Sequence, residues 1–152
     1  MKGEISWTKG AFSNTYKLRG YEGHGGELKL NSFNSHAKGS IGGKQYAFRA
    51  KGCLSKTIDM ICQETNTIIA KIRMGNWRMM AKIDTGKHQY TWRYKNLWQT
   101  RWSVFDEQRE YVTGKSNGFM TSGDIEFRPS SEEMVLAGLF IKDYYVKMSA
   151  VV

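Results

Sequence analysis

The residues best suited to chemistry in this chain are cationic. Between positions 67 and 102 stand Lys71, Arg73, Arg78, Lys82, Lys87, Arg93, Lys95 and Arg101, and the one acid is Asp84, so this stretch carries +7 of the net +9. It also holds four of the five tryptophans: Trp77, Trp92, Trp98 and Trp102. Residues 28–58 add Lys29, Lys38, Lys44, Arg49, Lys51 and Lys56 with no acid among them. Such a surplus has three uses. It can keep a folded domain soluble and blunt sheet edges. It can dock on anionic lipid, with tryptophan at the membrane interface. It can also bind nucleic acid, with phosphates on Lys and Arg and bases stacked on aromatic rings.

Other constellations are weaker. Cys53 and Cys62 have neither CxxC spacing nor a histidine in metal-ligand register, so two reduced thiols are expected and no metal or cofactor. Gly39-Ser40-Ile41-Gly42-Gly43-Lys44-Gln45 falls one residue short of a phosphate loop and lacks the Ser or Thr after the lysine. His24, His36 and His88 are scattered and no GxSxG elbow accompanies them. Asp106, Glu107 and Glu110 read as solvated residues of one hairpin tip rather than paired catalytic carboxylates. Acidic residues nowhere cluster as a calcium cage. No catalytic residues are assigned, and a non-enzymatic protein is expected.

The elements that must position the cations are short strands. The chain has 152 residues with 40% hydrophobic and 24% charged content, 16 glycines and one proline. This is the size and composition of one globular domain spanning 1–152. Apolar and polar residues alternate with period two from the start to about residue 128. Tyr46, Phe48 and Ala50 oppose Gln45, Arg49 and Lys51, and Ile68, Ala70, Ile72 and Met74 oppose Lys71 and Arg73. Phe12, Tyr16 and Leu18 share an inward parity. Ten or eleven such strands at ten-residue spacing predict an antiparallel barrel or sandwich. Turn chemistry separates them: Asp84-Thr85-Gly86-Lys87, Glu64-Thr65-Asn66 and Asp106-Glu107-Gln108-Arg109, with looser loops at 20–26 and 39–43. The same parity turns Lys71, Arg73, Arg78, Lys82, Arg93 and Lys95 outward, where neighbouring strands would join them into a basic wall. It turns the tryptophans inward, except Trp98 at a turn, which counts against base stacking.

The pattern changes after Pro129. Ser130-Ser131-Glu132-Glu133 has the form of a capping box. Residues 134–141 are apolar without interruption until Lys142 and Asp143. A helix apolar on every side must be wrapped on every side. The run is too short for a membrane span, so the strands are expected to close around a helix over about 130–145, with Ala137 and Gly138 admitting close approach of the wall. A wrapped helix would also fill the cavity in which a hollow barrel binds small ligands. No apolar run follows Lys2, so no signal peptide is expected.

Short antiparallel strands followed by one wholly apolar, near-terminal helix resemble the tubby C-terminal-like superfold of tubby domains, LURP-one-related proteins and phospholipid scramblases. The hairpins spanning 57–72 and 102–113 are similar to that family's repeated unit of apolar strand, polar turn and returning strand. The resemblance implies a mainly β fold: an antiparallel β-barrel of about ten to twelve strands closed around a hydrophobic C-terminal helix. It also implies binding of anionic phospholipid or phosphoinositide head groups, for which Lys71, Arg73, Arg78, Lys82, Arg93 and Lys95 are the candidate residues. The alternative is a structural or protein-interaction module, with nucleic acid placed behind both. A monomer in the cytoplasm, peripheral at a membrane, is the expectation that follows.

Overall fold

The computed structural model describes residues 2–20, 25–31, 36–51, 57–75 and 79–151. Twelve strands precede one helix: β1 (Gly3–Thr8), β2 (Thr15–Gly20), β3 (Gly26–Leu30), β4 (Ala37–Ile41), β5 (Lys44–Ala50), β6 (Thr57–Cys62), β7 (Thr67–Met74), β8 (Met80–Asp84), β9 (Gln89–Tyr94), β10 (Arg101–Phe105), β11 (Glu110–Ser116), β12 (Ser122–Phe127) and α1 (Glu133–Val151). Each strand pairs antiparallel with its sequence neighbours. Strand β12 then pairs with β1, from Gly3 opposite Phe127 to Thr8 opposite Ser122, and the sheet closes. The fold is therefore mainly β, a closed twelve-strand barrel around a C-terminal helix, as the sequence predicts.

Alternation explains why the sheet curls around α1. Ile5, Trp7, Tyr16, Leu28, Ile72, Ile83, Trp92, Trp102 and Ile125 face inward and are buried. Lys17, Lys29, Lys38, Lys71, Lys82 and Arg93 face outward and are exposed. A transmembrane barrel carries apolar residues on its outer face, the reverse of this arrangement. No described helix is long and apolar enough to cross a membrane.

Helix α1 enters at the end where β12 stops and runs up the barrel. Met134, Val135, Leu136, Ala137, Leu139, Phe140 and Ile141 are all buried. Phe140 stacks on Phe48 at 4.7 Å. The indole N–H of Trp92 donates to the carbonyl of Gly138 at 3.1 Å. A Cβ on Gly138 would lie 2.3 Å from the ring of Trp102, so this glycine creates the space that the indole fills. Near the other end, the hydroxyl of Tyr145 lies 2.9 Å from the carbonyls of Gly75 and Met80, positioned to donate to either. We call the end where α1 emerges the far end. Odd-numbered strands run toward it, so the β1–β2, β9–β10 and β11–β12 connections all lie there.

Several local expectations are corrected. Gly39 lies in β4 rather than in a loop, and only Gly42 and Gly43 form the turn. Both take positive φ, 58° and 80°, as a two-residue hairpin turn with the strands' right-handed twist requires. Phe12 is fully exposed at a hairpin tip, not inward. Ile68 is half exposed because the β6–β7 register shifts between Met60 and Ile61, which breaks the parity of β7 at its start. Ser131 lies in a 3-10 turn, Pro129–Ser131, and the α-helix begins at Glu133, so the two serines precede the helix instead of capping it. The helix extends to Val151, beyond the expected 145. His24, Cys53, Lys56, Trp77 and Arg78 lie outside the described residues.

Candidate functional site

Strands β7, β8 and β9 place the candidate cations. Arg73 and Lys82 are direct partners across β7 and β8. Lys82 is the partner of Thr91 in β9 and donates to its hydroxyl at 2.8 Å. Arg93, two residues beyond Thr91, holds its guanidinium 5.6 Å from the ring centroid of Phe105. Arg73, Lys82 and Arg93 are exposed and, among the described residues, none forms an ion pair.

The other described candidates, Lys71 and Lys95, face acids. Lys71 lies between two acids in register, Asp59 on β6 and Asp84 on β8. Lys95 is engaged by Glu110, with Nζ 3.0 Å from Oε2. That hydrogen bond helps hold the Glu110 carboxyl below its usual range, against the effect of its desolvation. Arg78 is outside the described residues. The wall therefore narrows to Arg73, Lys82 and Arg93. These donors, with the Thr91 hydroxyl, suit an anion with several oxygens, such as a phosphate ester.

Below Lys82 the wall dips into a depression of about 460 Å³ lined by Lys82, His88, Gln89, Thr91, Phe105 and Asp106. Asp106 is bonded on both oxygens rather than solvated. Oδ1 accepts the N–H groups of Gln108 and Arg109 at 2.8 and 3.0 Å. Oδ2 accepts the Tyr111 hydroxyl at 2.8 Å and lies 2.7 Å from His88 Nε2. Desolvation works to raise its pKa, but the bonds from Tyr111, Gln108, Arg109 and His88 together hold the carboxyl well below the usual range. His88 also packs on Tyr90 at 4.4 Å, and Tyr90 meets Tyr111 edge-on at 5.0 Å. The Thr85 hydroxyl bonds the backbone of His88, not its ring. A carboxylate so fully bonded makes a poor proton acceptor; the cluster locks two adjacent hairpin turns, β8–β9 and β10–β11. The sequence held no local signal for it, since His88 and Asp106 meet only through strand pairing.

A second polar cluster lies inside the barrel. Lys142 and Asp143, which end the apolar run, are both buried. Lys142 Nζ sits 4.2 Å from the Trp7 ring centroid and 5.1 Å from that of Tyr16. It can also donate to the Tyr16 hydroxyl at 3.4 Å. Burial lowers its pKa from 10.5 to about 8, opposed by the charge of Asp143. Asp143 accepts the Tyr16 hydroxyl at 2.8 Å and pairs with Lys147 at 2.9 Å. Burial, then the charge of Asp143, pushes the Tyr16 phenol far above its ordinary range. The legible signal was the apolar run resuming at Tyr144-Tyr145-Val146, which places Lys142 inside an enclosed segment rather than at its edge.

No family model matches this sequence, and no curated protein resembles it significantly. Among solved structures, a protein of Arabidopsis thaliana, AT5G01750, superposes with a TM-score of 0.60 at 11% identity, over 96% of this chain and 91% of that one. At this identity the similarity shows a shared fold: the chain has the barrel architecture of the Arabidopsis protein.

Proposed function

We propose that this protein is a non-enzymatic member of the tubby C-terminal-like superfold, related to the LURP-one proteins, and that it docks peripherally on anionic phospholipid head groups through cations on its outer surface. The observation that supports this most is the placement of Arg73 directly opposite Lys82. Like charges facing one another across a strand pair destabilise a sheet. An anion bound between them would remove that repulsion, and Arg93 and the Thr91 hydroxyl stand ready to contribute further bonds. The burial of Trp7, Trp92 and Trp102 takes three aromatic rings away from any base-stacking role and favours lipid over nucleic acid.

Vesicle co-sedimentation tests the reading. The protein should pellet with phosphatidylserine- or phosphoinositide-containing vesicles at low salt, and not with pure phosphatidylcholine. High salt should release it. Each basic residue near such a surface contributes about 1 kcal/mol, so Arg73→Glu/Lys82→Glu/Arg93→Glu should weaken wall-mediated binding by roughly a hundredfold or more. No binding to any anionic vesicle at low salt would discard the proposal.

A further inference from the structure

Hairpin tips at the far end of the barrel share one construction. Asn96-Leu97-Trp98-Gln99-Thr100 joins β9 to β10, and Asn117-Gly118-Phe119-Met120-Thr121 joins β11 to β12. In the first, Asn96 Oδ1 accepts the N–H groups of Thr100 and Arg101, both at 3.1 Å, and its Nδ2 donates to the Thr100 hydroxyl at 2.7 Å. In the second, Asn117 Oδ1 accepts the N–H groups of Thr121 and Ser122 at 2.9 and 3.4 Å, and its Nδ2 donates to the Thr121 hydroxyl at 3.1 Å. The fourth residue of each tip, Gln99 or Met120, bonds its N–H to the asparagine carbonyl and takes a positive φ, 58° or 57°. The third residue, aromatic in both, is held out in solvent: Trp98 is 82% exposed and Phe119 is 89% exposed. The β1–β2 tip closes with the same backbone bond, Ser13 N–H to the Gly10 carbonyl at 3.0 Å, and again exposes the residue in third place, Phe12.

These hairpins are consecutive around the barrel, because β12 pairs with β1. Two backbone bonds join them: Lys9 N–H to the Thr121 carbonyl and Ser116 N–H to the Thr100 carbonyl, each 2.8 Å. They form one linked arc. Of the exposed large apolar residues among the described residues, Phe12, Leu97, Trp98 and Phe119 lie on this arc and Met148 on the emerging end of α1, while Ile68 lies elsewhere. Cations stand behind the tips. Arg101 and Lys115 are register partners on β10 and β11 and both exposed, and Lys9 flanks the β1–β2 tip. One acid, Asp124, lies opposite Lys115 and accepts the Ser6 hydroxyl. Among the described residues no acid forms an ion pair with Lys9, Arg101 or Lys115. Large apolar side chains fixed in water mark a contact surface. Apolar points on separate convex tips, backed by cations, match a bilayer interface, where aromatic rings seat at head-group level and cations meet lipid phosphates.

We propose that the far end of the barrel seats on an anionic bilayer, with Phe12, Leu97, Trp98 and Phe119 inserted among the head groups and Lys9, Arg101 and Lys115 against the lipid phosphates. The inference rests on the lipid reading above and adds a second contact to it: the far-end tips insert among the head groups while the β7–β9 wall contributes charge attraction to the same surface.

The test compares three full-length proteins on phosphatidylcholine/phosphatidylserine vesicles: the wild type, the tip variant Phe12→Ser/Trp98→Ser/Phe119→Ser, and the wall variant Arg73→Glu/Lys82→Glu/Arg93→Glu. All the changed residues are exposed, and unchanged urea midpoints verify that each variant folds. The tip variant should lose roughly tenfold in partitioning per aromatic removed, and the wall variant should weaken as well, as the lipid reading requires. Vesicles made with bromine-labelled acyl chains should quench Trp98, read as the difference in emission between wild type and Trp98→Phe. Binding lost in the wall variant and kept in the tip variant overturns the far-end contact while leaving the lipid reading intact. No partitioning of the wild type overturns both. Tip-dependent self-association in sedimentation velocity, without vesicle binding, would assign the arc to a second copy of the chain and overturn the inference.

Discussion

Replacing Gly138 with alanine yields opposite signs for an enclosed and for an exposed helix. On a solvated helix, Gly→Ala stabilises by about 1 kcal/mol through helix propensity. Here the new methyl would lie 2.3 Å from Trp102 Cζ3 and 2.6 Å from Cη2. Ordinary contact needs about 1 Å more. Trp102 cannot easily retreat: it is fully buried, it stacks near Trp92 at 6.2 Å, and its other edge fills the space left by Gly114, where a Cβ would lie 2.1 Å from the ring. Overpacking of this kind costs about 1–3 kcal/mol and occasionally more. With the clash at the upper end of that range, the propensity gain leaves a net loss of about 2 kcal/mol, or a melting temperature about 4–8 °C lower for a chain of this size. Urea unfolding of Gly138→Ala, Trp102→Phe and the double variant measures this. The smaller phenyl ring makes room for the methyl, so the double variant should be less destabilised than the sum of the single ones, by about 1 kcal/mol or more. A Gly138→Ala variant more stable than wild type, with additive behaviour in the double variant, would refute the reasoning.

Lys142 predicts a pH dependence. Its folded pKa of about 8 lies below the ordinary 10.5, so between those values the unfolded chain binds more protons and stability rises with pH. Below about 8 both states hold the proton and the full burial cost is present. Unfolding free energy should therefore climb between pH 7.5 and about 9.5, before the tyrosines titrate in the unfolded chain; Lys142→Met should remove the climb and be at least as stable as wild type at neutral pH. Asp106 predicts the opposite edge. Its folded pKa is depressed, so its contribution is present above the ordinary 3.8 and lost as pH falls below it. Asp106→Asn should lower the melting temperature at pH 7, and the difference from wild type should shrink in acid.

Much of the architecture was legible because each structural level repeats one rule. Period-two alternation identifies inner and outer faces, and a helix without a polar face demands a sheath, so Gly138 could be assigned to close approach before Trp102 was known as its partner. Parity fails where the ladder is irregular. The register shift between Met60 and Ile61 exposes Ile68, and the tip turn carries Phe12 off its strand altogether. Site residues were legible as a charge bias but not as a grouping. Outward parity could not show that Asp59 and Asp84 flank Lys71 or that Glu110 reaches Lys95, because those neighbours come from register and from side-chain lean across strands. The two Asn-x-aromatic-x-Thr pentapeptides were present in the sequence throughout. Their meaning depends on the hydrogen bonds of asparagine and on the barrel closure that makes the hairpins adjacent.

Enclosure of α1 determines which residues face outward, and both proposed lipid-contact surfaces depend on it. Native-state hydrogen exchange resolved at single amides measures that enclosure. Backbone amides between Leu136 and Tyr145 should exchange only through global unfolding, with protection equal to the slowest amides of β9 and β10 and a dependence on urea equal to that of the whole protein. Exchange of those helical amides at the rate of the hairpin tips, with little dependence on urea, would mean that the helix leaves the barrel without unfolding it and would contradict the enclosed arrangement.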